Sequence, residues 1–250
     1  MRRIVVPDIA LDADRARLGA AAARHVGRVL RLGPGDGLLV GDGRGGLAHA
    51  VIEAIGPDDV VVRIDRRDDA TAAIEPPLHL VQGLTKGGGK MDEVVRRATE
   101  LGVAGIHPAL CERSVARPGR ERARSRLDRW RTIAAEASRQ CGRDRLPDVA
   151  DLAPLDVVLA RLAGVAPGIV LWEDERTASL ATRLDGLDLE GGLALVIGPE
   201  GGLAAGEVEA ARSLGFVTAS MGPLVLRTET AAIAACAIAR FFLGGLEPAT

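Results

Sequence analysis

The stretch Leu193-Ala-Leu-Val-Ile-Gly-Pro-Glu-Gly-Gly-Leu203 indicates the fold of the C-terminal part of this chain. Five apolar residues come first, a loop dense in glycine follows, and Val208, Ala211 and Leu214 then recur at helical spacing. An unbroken apolar run is typical of a parallel strand that is covered on both faces. Glycines at the carboxyl end of such a strand let the backbone approach a ligand closely. The stretch therefore predicts an α/β domain with a ligand site at this strand end.

The composition of this loop narrows the class of ligand. It has neither the Gly-x-Gly-x-x-Gly fingerprint of dinucleotide sites nor the Lys-Ser/Thr pair of a Walker loop. Pro199 and Glu200 stand in its middle, and a carboxylate repels phosphate but suits an amine, a hydroxyl or a positive sulfonium. A tight strand-to-helix turn without any ligand is the alternative for this loop taken alone.

A second glycine loop, Met221-Gly-Pro-Leu-Val-Leu-Arg-Thr-Glu-Thr-Ala231, follows the next apolar run. Thr228 or Thr230 can cap the helix that comes after it. Arg227 and Glu229 stand beside small apolar residues, where charges are uncommon. A plain capping segment is the alternative, because a carboxylate near a helix N-terminus is favourable in itself. Two glycine loops after successive strands nevertheless favour a small-molecule site.

The remaining pattern predicts two domains. Before about residue 70, short strands and turns predict a small β-rich barrel with a helix inside 20–32, and charged and Pro-Pro residues over 68–77 predict a linker. After it, apolar runs alternate with helical periodicity, which predicts an α/β fold. We expect domains over 1–72 and 77–250. The predicted strands of the second domain are 78–83, 105–110, 168–173, 193–198 and 216–221.

Positive charge is concentrated in one part of the chain. Residues 112–145 carry 11 arginines against five acidic residues, whereas 146–250 carry six arginines against 14 acidic residues. Such a distribution predicts one surface that attracts phosphates. The only two lysines, Lys86 and Lys90, stand in the glycine loop Gln82-Gly-Leu-Thr-Lys-Gly-Gly-Gly-Lys-Met. They are candidate phosphate contacts, and a solvated loop at a helix start is the alternative.

Several classes of protein are disfavoured by the sequence. No apolar run reaches the ~20 residues of a membrane span, so we expect no membrane partner. Four scattered histidines and three scattered cysteines have neither metal-ligand nor catalytic-triad spacing, so we expect no metal and no hydrolase. The cysteines, Cys111, Cys141 and Cys236, are expected to be buried apolar side chains in a reducing, cytoplasmic protein.

In combination, the motifs resemble one family. Their order is Gly-x-x-Lys-Met-Asp, Glu-Leu-Gly-Val, Glu-Arg-Ser, Gln-Cys-Gly-Arg-x-Arg, Ile-Gly-Pro-Glu-Gly-Gly and Gly-x-x-Val-Leu-Arg-Thr-Glu-Thr-Ala, preceded by His-Val-Gly-Arg-Val-Leu-Arg from His25 and by Asp42-Gly43. This order resembles the bacterial small-subunit ribosomal RNA uridine-N3 methyltransferases of the SPOUT superfamily. The resemblance spans essentially the whole chain, and the last two motifs are its most specific part.

The resemblance implies a fold, a cofactor and partners. The N-terminal domain would be a PUA-like RNA-binding β-barrel, and the C-terminal domain a SPOUT methyltransferase with a trefoil knot. The protein would be a homodimer that binds S-adenosylmethionine in the knot and acts on 16S ribosomal RNA or the assembled 30S subunit. The cofactor-binding residues would be Leu171, Trp172, Glu173, Ile197, Gly198, Pro199, Glu200, Gly201, Gly202, Met221, Gly222, Leu224, Val225, Leu226 and Thr230.

The reaction implied is methylation of N3 of an unpaired or flipped uridine. N3 carries a weakly acidic proton, so a base must remove it or a cation must stabilise the resulting anion. Arg227 and Glu229 are the catalytic candidates. The candidate RNA-binding residues are Arg28, Arg31, Lys86, Lys90, Arg113, Arg139, Arg143 and Arg145.

Two alternatives stay open at this point. A SPOUT methyltransferase acting on another ribosomal or transfer RNA nucleotide would share the two glycine loops but not the Gln-Cys-Gly-Arg segment or this N-terminal domain. A non-catalytic RNA-binding or ribosome-assembly protein would have decayed cofactor loops. Cofactor binding distinguishes this last alternative from the first two.

Overall fold

The computed structural model describes residues 1–7, 9–68 and 76–246. They fall into two compact units, the first made of Met1–Ala73 with Ser138–Leu146 and the second of Ile74–Ala137 with Pro147–Thr250. The segment Ser138–Leu146 differs from the expected division, because it lies in the first unit although its sequence position is inside the second. Most of the predicted linker, 69–75, lies outside the described residues.

The first unit is built on one mixed sheet of five strands in the order β1-β3-β4-β5-β2. Only the β1–β3 pair is parallel. The short helix α1 continues into a π-helical turn, His25–Val29, so the predicted helix is confirmed but is less regular than expected. The strand at the sheet edge, β2, was missed by the sequence pattern. The elements are β1 Arg2–Val5, β2 Arg15–Leu18, α1 Ala20–Arg24, β3 Gly37–Gly41, β4 Leu47–Ile55 and β5 Val60–Asp68.

A small apolar core lies against one face of this sheet. Along β4, Ala48, Ala50 and Ile52 are buried and alternate with less buried residues, as period-two patterning requires of a sheet with one covered face. Val26 of the π-helical turn belongs to the same buried cluster, so the helical segment covers that face.

The second unit contains a wholly parallel sheet of seven strands. The order is β12-β10-β11-β6-β7-β8, and β9 also pairs with β7. All five strands predicted for this domain are present, which confirms the α/β expectation. The strands are β6 Leu78–Gly83, β7 Gly105–Leu110, β8 Asp148–Val149, β9 Ala153–Pro154, β10 Gly168–Leu171, β11 Leu193–Ile197 and β12 Val217–Ala219.

Helices cover both faces of this sheet. Leu195 of β11 faces a buried cluster with α2, α3, α5 and α7, whereas the adjacent Val196 faces a second cluster with α4 and α6. Burial on both faces is the reason that β11 reads as a continuous apolar run. The helices are α2 Gly88–Glu100, α3 Arg120–Cys141, α4 Leu155–Leu162, α5 Leu180–Asp185, α6 Ala205–Ser213 and α7 Thr228–Phe242.

The cysteines differ in burial. Cys111 and Cys236 are buried, as expected, but Cys141 is exposed near the C-terminal end of α3, so the prediction was wrong for that residue. All three are free thiols. Burial raises the pKa of Cys111 and of Cys236 to about 12, so neither forms a thiolate near neutral pH.

Candidate active site

A cavity of ≈ 670 Å³ opens at the carboxyl ends of β10, β11 and β12. This edge is where open parallel sheets bind ligands, because the loops that follow the strands converge there. The cavity has the size of a small-molecule site. Its lining residues are Lys90, Leu171, Trp172, Glu173, Asp174, Arg176, Ile197, Gly198, Pro199, Glu200, Gly201, Gly202, Ser220, Met221, Gly222, Pro223, Leu224, Val225, Leu226, Arg227, Thr228 and Ala231.

The structure brings nearly all the expected cofactor residues to this cavity. Thr230 is the exception, since it is exposed on the first turn of α7 and is not part of the lining. Asp174 and Arg176 also line the cavity and were missed, although they directly follow the predicted strand 168–173. Their sequence context gave no periodic or glycine signal that could have found them.

Glycines allow the loops to meet at the centre of the site. A Cβ on Gly83, at the end of β6, would lie 2.4 Å from the Pro199 nitrogen and 2.7 Å from the Gly198 carbonyl carbon. A Cβ on Gly198 would lie 2.9 Å from the carbonyl carbon of Gly202. Because these neighbours are backbone atoms, they cannot rotate away. The loop after β11 therefore keeps its course only with glycine at both positions.

A buried polar contact holds the two glycine loops together. The Gln82 side-chain nitrogen donates to the Gly198 carbonyl at 3.3 Å and to Thr228 Oγ1 at 2.9 Å. Thr228 Oγ1 in turn donates to the Gly198 carbonyl at 2.6 Å. Both side chains are buried. Hydrogen bonds that are shielded from water hold their partners in a fixed geometry. Gln82 therefore joins β6, the loop after β11 and α7 at the site, a role that the sequence did not suggest.

Glu200 fastens the first glycine loop to the start of α2. Its carboxylate accepts hydrogen bonds from Lys90 Nζ at 2.9 Å and from the Lys86 backbone nitrogen at 3.0 Å. Burial raises the pKa of Glu200, but these hydrogen bonds outweigh it and the net pKa is below the ordinary value. Lys90 Nζ also lies 3.9 Å from Glu229 Oε2. The ammonium of Lys90 is therefore engaged with carboxylates.

We expect Glu200→Gln to lower the free energy of unfolding by about 1 kcal/mol, because a partly exposed ion pair and its charged hydrogen bonds are weakened. Urea unfolding at neutral pH measures this. Glu209→Gln is the matched control, since Glu209 is highly exposed and, among the described residues, is paired only with Arg212. Equal stability of the two variants would contradict the role of Glu200.

Behind the cavity wall, Glu175 holds the segment after β10 against β12. It is buried, and its carboxylate accepts hydrogen bonds from Thr177 and from Thr218 Oγ1. The Arg212 guanidinium lies near this carboxylate and stacks over the Trp172 ring, 5.4 Å from the ring centroid. Hydrogen bonds from Thr177 and Thr218 lower the pKa of Glu175 to about 2.

This depressed pKa predicts a pH-dependent contribution to stability. The folded protein holds Glu175 ionised, so its stabilisation is complete above the ordinary pKa of 4.5 and is lost as pH falls towards 2. We expect Glu175→Gln to be less stable than the unaltered protein by a larger margin at pH 7 than at pH 3, measured by urea unfolding. A margin that is the same at both pH values would contradict the assignment.

The expected catalytic pair occupies two different positions. Arg227 borders the cavity as the residue before α7, is exposed, and has no ion pair with any carboxylate among the described residues. Glu229 is not part of the lining. Its Oε2 atom is buried, lacks a hydrogen-bond partner among the described residues, and faces Lys90.

The expected RNA-binding residues are divided between the two units. Arg113 lies next to the cavity, where it donates to the Gly201 carbonyl at 3.1 Å, and Lys90 lines the cavity itself. Lys86 is exposed on the loop before α2. The others belong to the first unit: Arg28, Arg31, Arg139, Arg143 and Arg145.

The described residues contain no group of three or more histidine, cysteine or acidic side chains arranged to hold a metal ion. Across the same residues, every helix is too short or too polar to cross a membrane.

Comparison with known proteins identifies the family to which this chain is similar. A model of the RNA methyltransferase domain matches residues 73–240, and a model of the RNA methyltransferase PUA domain matches residues 18–65. Both models describe parts of RNA-modifying methyltransferases.

Relatives that match most of the chain specify the family. The ribosomal RNA small subunit methyltransferase E of Mycobacterium bovis is 35% identical over 84% of this chain and 80% of its own length. The protein of that name from Synechocystis is 31% identical over 94% of this chain and 76% of its own length. The chain belongs to the ribosomal RNA small subunit methyltransferase E family.

A solved structure agrees with this assignment. The ribosomal RNA small subunit methyltransferase E of Neisseria gonorrhoeae, bound to S-adenosyl methionine, superposes with a TM-score of 0.83 at 27% identity. The match covers 96% of this chain and 97% of that one.

Proposed function

We propose that this protein methylates N3 of a uridine in small-subunit (16S) ribosomal RNA, in the cytoplasm, with S-adenosylmethionine as methyl donor. The observation that carries the proposal is the cavity at the carboxyl ends of β10–β12, formed by both glycine loops. Relatives named for small-subunit ribosomal RNA methylation, one of them bound to S-adenosyl methionine, support it. The assembled 30S subunit is the alternative form of the same substrate.

The residues of the cavity fit this cofactor chemically. A sulfonium and an ammonium group require negative partners, and the carboxylates of Glu173 and Asp174 line the cavity. An adenine ring requires apolar walls, and Leu171, Ile197 and Leu226 supply them. Gly202 has a φ of 70° and lies against Glu173, where there is no room for a side chain: a Cβ on Gly202 would lie 2.0 Å from Glu173 Oε1. Backbone therefore takes the place of a side chain beside the Glu173 carboxylate.

S-adenosylmethionine supplies an electrophilic methyl group on a sulfonium, and the protein must present the uracil N3 atom in line with it. We assign that positioning to the walls of the cavity and to Arg113 at its edge. The N3–methyl bond would form as the sulfur–methyl bond breaks, which would release S-adenosylhomocysteine. We propose that the Glu229 carboxylate takes the N3 proton and that the Arg227 guanidinium stabilises the negative charge on the uracil. Glu229 is outside the lining of the cavity, and Lys90 Nζ lies 3.9 Å from its Oε2 atom.

The finer architecture is part of the same proposal. We infer an RNA-binding, barrel-like N-terminal domain over 1–72, a methyltransferase domain over 77–250 whose last part is knotted, and a homodimer. Support for the knot comes from one place at which three segments meet: the end of β6 and the start of α7 each contact the loop after β11, through Gly83, Gly198 and Thr228.

Transfer of a labelled methyl group from S-adenosylmethionine to purified small-subunit ribosomal RNA or to 30S subunits tests the function. We expect label in one uridine, recovered as N3-methyluridine after nuclease digestion. Label in any other nucleotide would replace the proposed target, and saturable cofactor binding with no transfer to either substrate would refute the proposal.

A further inference from the structure

A second cavity, of ≈ 390 Å³, lies within the N-terminal unit. One wall is formed by residues 4–7 at the end of β1 and another by residues 19–22 at the start of α1. His25 and Arg139 complete the lining. None of these residues takes part in the methyl-transfer site, so the cavity requires a separate explanation.

The chemistry of the walls suits the apolar face of a base. Gly19 and the three alanines after it carry little or no side chain, so this wall is apolar. The volume is at the lower end of the range for small-molecule sites, which fits one nucleotide. Burial and the nearby Arg139 charge lower the pKa of His25, which therefore keeps one donor and one acceptor nitrogen at neutral pH.

Charge near the cavity favours an anion. Arg139 is the only charged residue among the described residues that line it, and none of those residues is acidic. Arg24 and Arg28 are exposed on the same helical segment as His25. A cation beside an apolar wall fits a ligand with a negative group and an apolar base, which is the chemistry of a nucleotide.

Contacts of the segment Ser138–Leu146 explain how Arg139 reaches this unit. The Leu146 nitrogen donates to the Gly43 carbonyl at 2.9 Å, and Arg3 forms an ion pair with Asp144 at 2.8 Å. Arg145 also forms β-bridges with Gly43 and Arg44. The Gln-Cys-Gly-Arg-x-Arg motif is thus fastened to β1 and to the turn after β3, and Arg139 is held beside His25.

We propose that this cavity binds one nucleotide of single-stranded RNA, with the base against residues 19–22 and a phosphate on Arg139. The site is distinct from the pocket for the methylated uridine. This inference rests on the proposed function, because RNA is the substrate there, and it adds a second point at which that RNA is held.

Binding of a fluorescein-labelled short single-stranded RNA to the full chain, followed by fluorescence anisotropy, tests the inference. Ala21→Phe places a large side chain at an exposed position in the wall of the second cavity, and Arg139→Gln removes its cation. We expect each to weaken binding at least about fivefold, which corresponds to the loss of one ordinary hydrogen-bonded contact. Arg139→Gln should also reduce the slope of log K against log salt by about 1.

Two matched variants serve as controls. Ala160→Phe adds the same ring on an exposed face of α4, and Arg63→Gln removes an exposed arginine on β5. Both should bind the RNA as the unaltered protein does. If Ala21→Phe lowers the melting temperature strongly, that variant is set aside. The inference is then judged by whether Arg139→Gln reduces the slope of log K against log salt.

Unchanged RNA affinity in both Ala21→Phe and Arg139→Gln would overturn the inference. The inference would also be overturned if these variants changed the sedimentation of the protein without changing its RNA affinity. That result would mean that a second copy of the chain fills the cavity. Titration of the same variants with S-adenosylmethionine separates this result from the proposed function. Lost RNA binding with intact cofactor binding supports the site, and it does so even if no methyl transfer is found.

Discussion

Gly83→Ala should abolish cofactor binding and lower the free energy of unfolding by about 2–3 kcal/mol. The added methyl group would lie 2.4 Å from the Pro199 nitrogen, so either β6 or the loop after β11 must move. Overpacking of a tightly packed interior costs about 1–3 kcal/mol. Because the loop that moves contains Gly198–Gly202, the cavity changes shape along with it.

Calorimetric titration with S-adenosylmethionine and urea unfolding measure the two effects. Gly206→Ala is the matched control, since a Cβ there would meet nothing within 4 Å and the residue lies in α6. Alanine is favoured over glycine in helices, so this variant should be at least as stable as the unaltered protein. A Gly83→Ala protein that binds the cofactor normally would show that the loop is not held by this contact.

Arg227→Ala should lower the rate of methyl transfer by about 10²–10³-fold while cofactor affinity stays within twofold. The magnitude is that of removing one group that stabilises developing charge in a transition state. Arg227 borders the cavity, and the described residues provide no carboxylate to neutralise it, so its charge is available to the uracil. Single-turnover transfer to ribosomal RNA, with cofactor binding measured separately, distinguishes the two effects.

Arg161→Ala is the control for general charge loss, because Arg161 is exposed on α4 and does not line the cavity. It should transfer methyl groups at the normal rate. Arg227→Lys should restore part of the activity if charge is what matters, and none if the planar guanidinium is required. Full activity of Arg227→Ala would remove Arg227 from the mechanism.

The sequence predicted those parts of the fold that depend on periodicity and burial. The five predicted parallel strands are largely apolar because helices cover both faces of the sheet. The glycine loops after β11 and β12 indicated the edge where the cavity lies. The two shortest strands of the sheet, β8 and β9, have two residues each, which is too few for a pattern.

Contacts between distant segments could not be predicted in this way. Gln82 and Thr228 are 146 residues apart, and nothing local in either stretch indicates that they meet. The same holds for Ser138–Leu146, whose arginines suggested a phosphate surface but not that the segment joins the first unit. Lys90 was expected to contact RNA, and its pairing with Glu200 depends on a loop 110 residues further on.

Mass mapping of small-subunit ribosomal RNA from cells that lack this protein tests the central claim most directly. We predict that one N3-methyluridine disappears, that all other modifications remain, and that the unaltered gene restores the missing methyl group while the Arg227→Ala gene does not. Ribosomal RNA with an unchanged set of methylated uridines in the deletion strain would contradict the account.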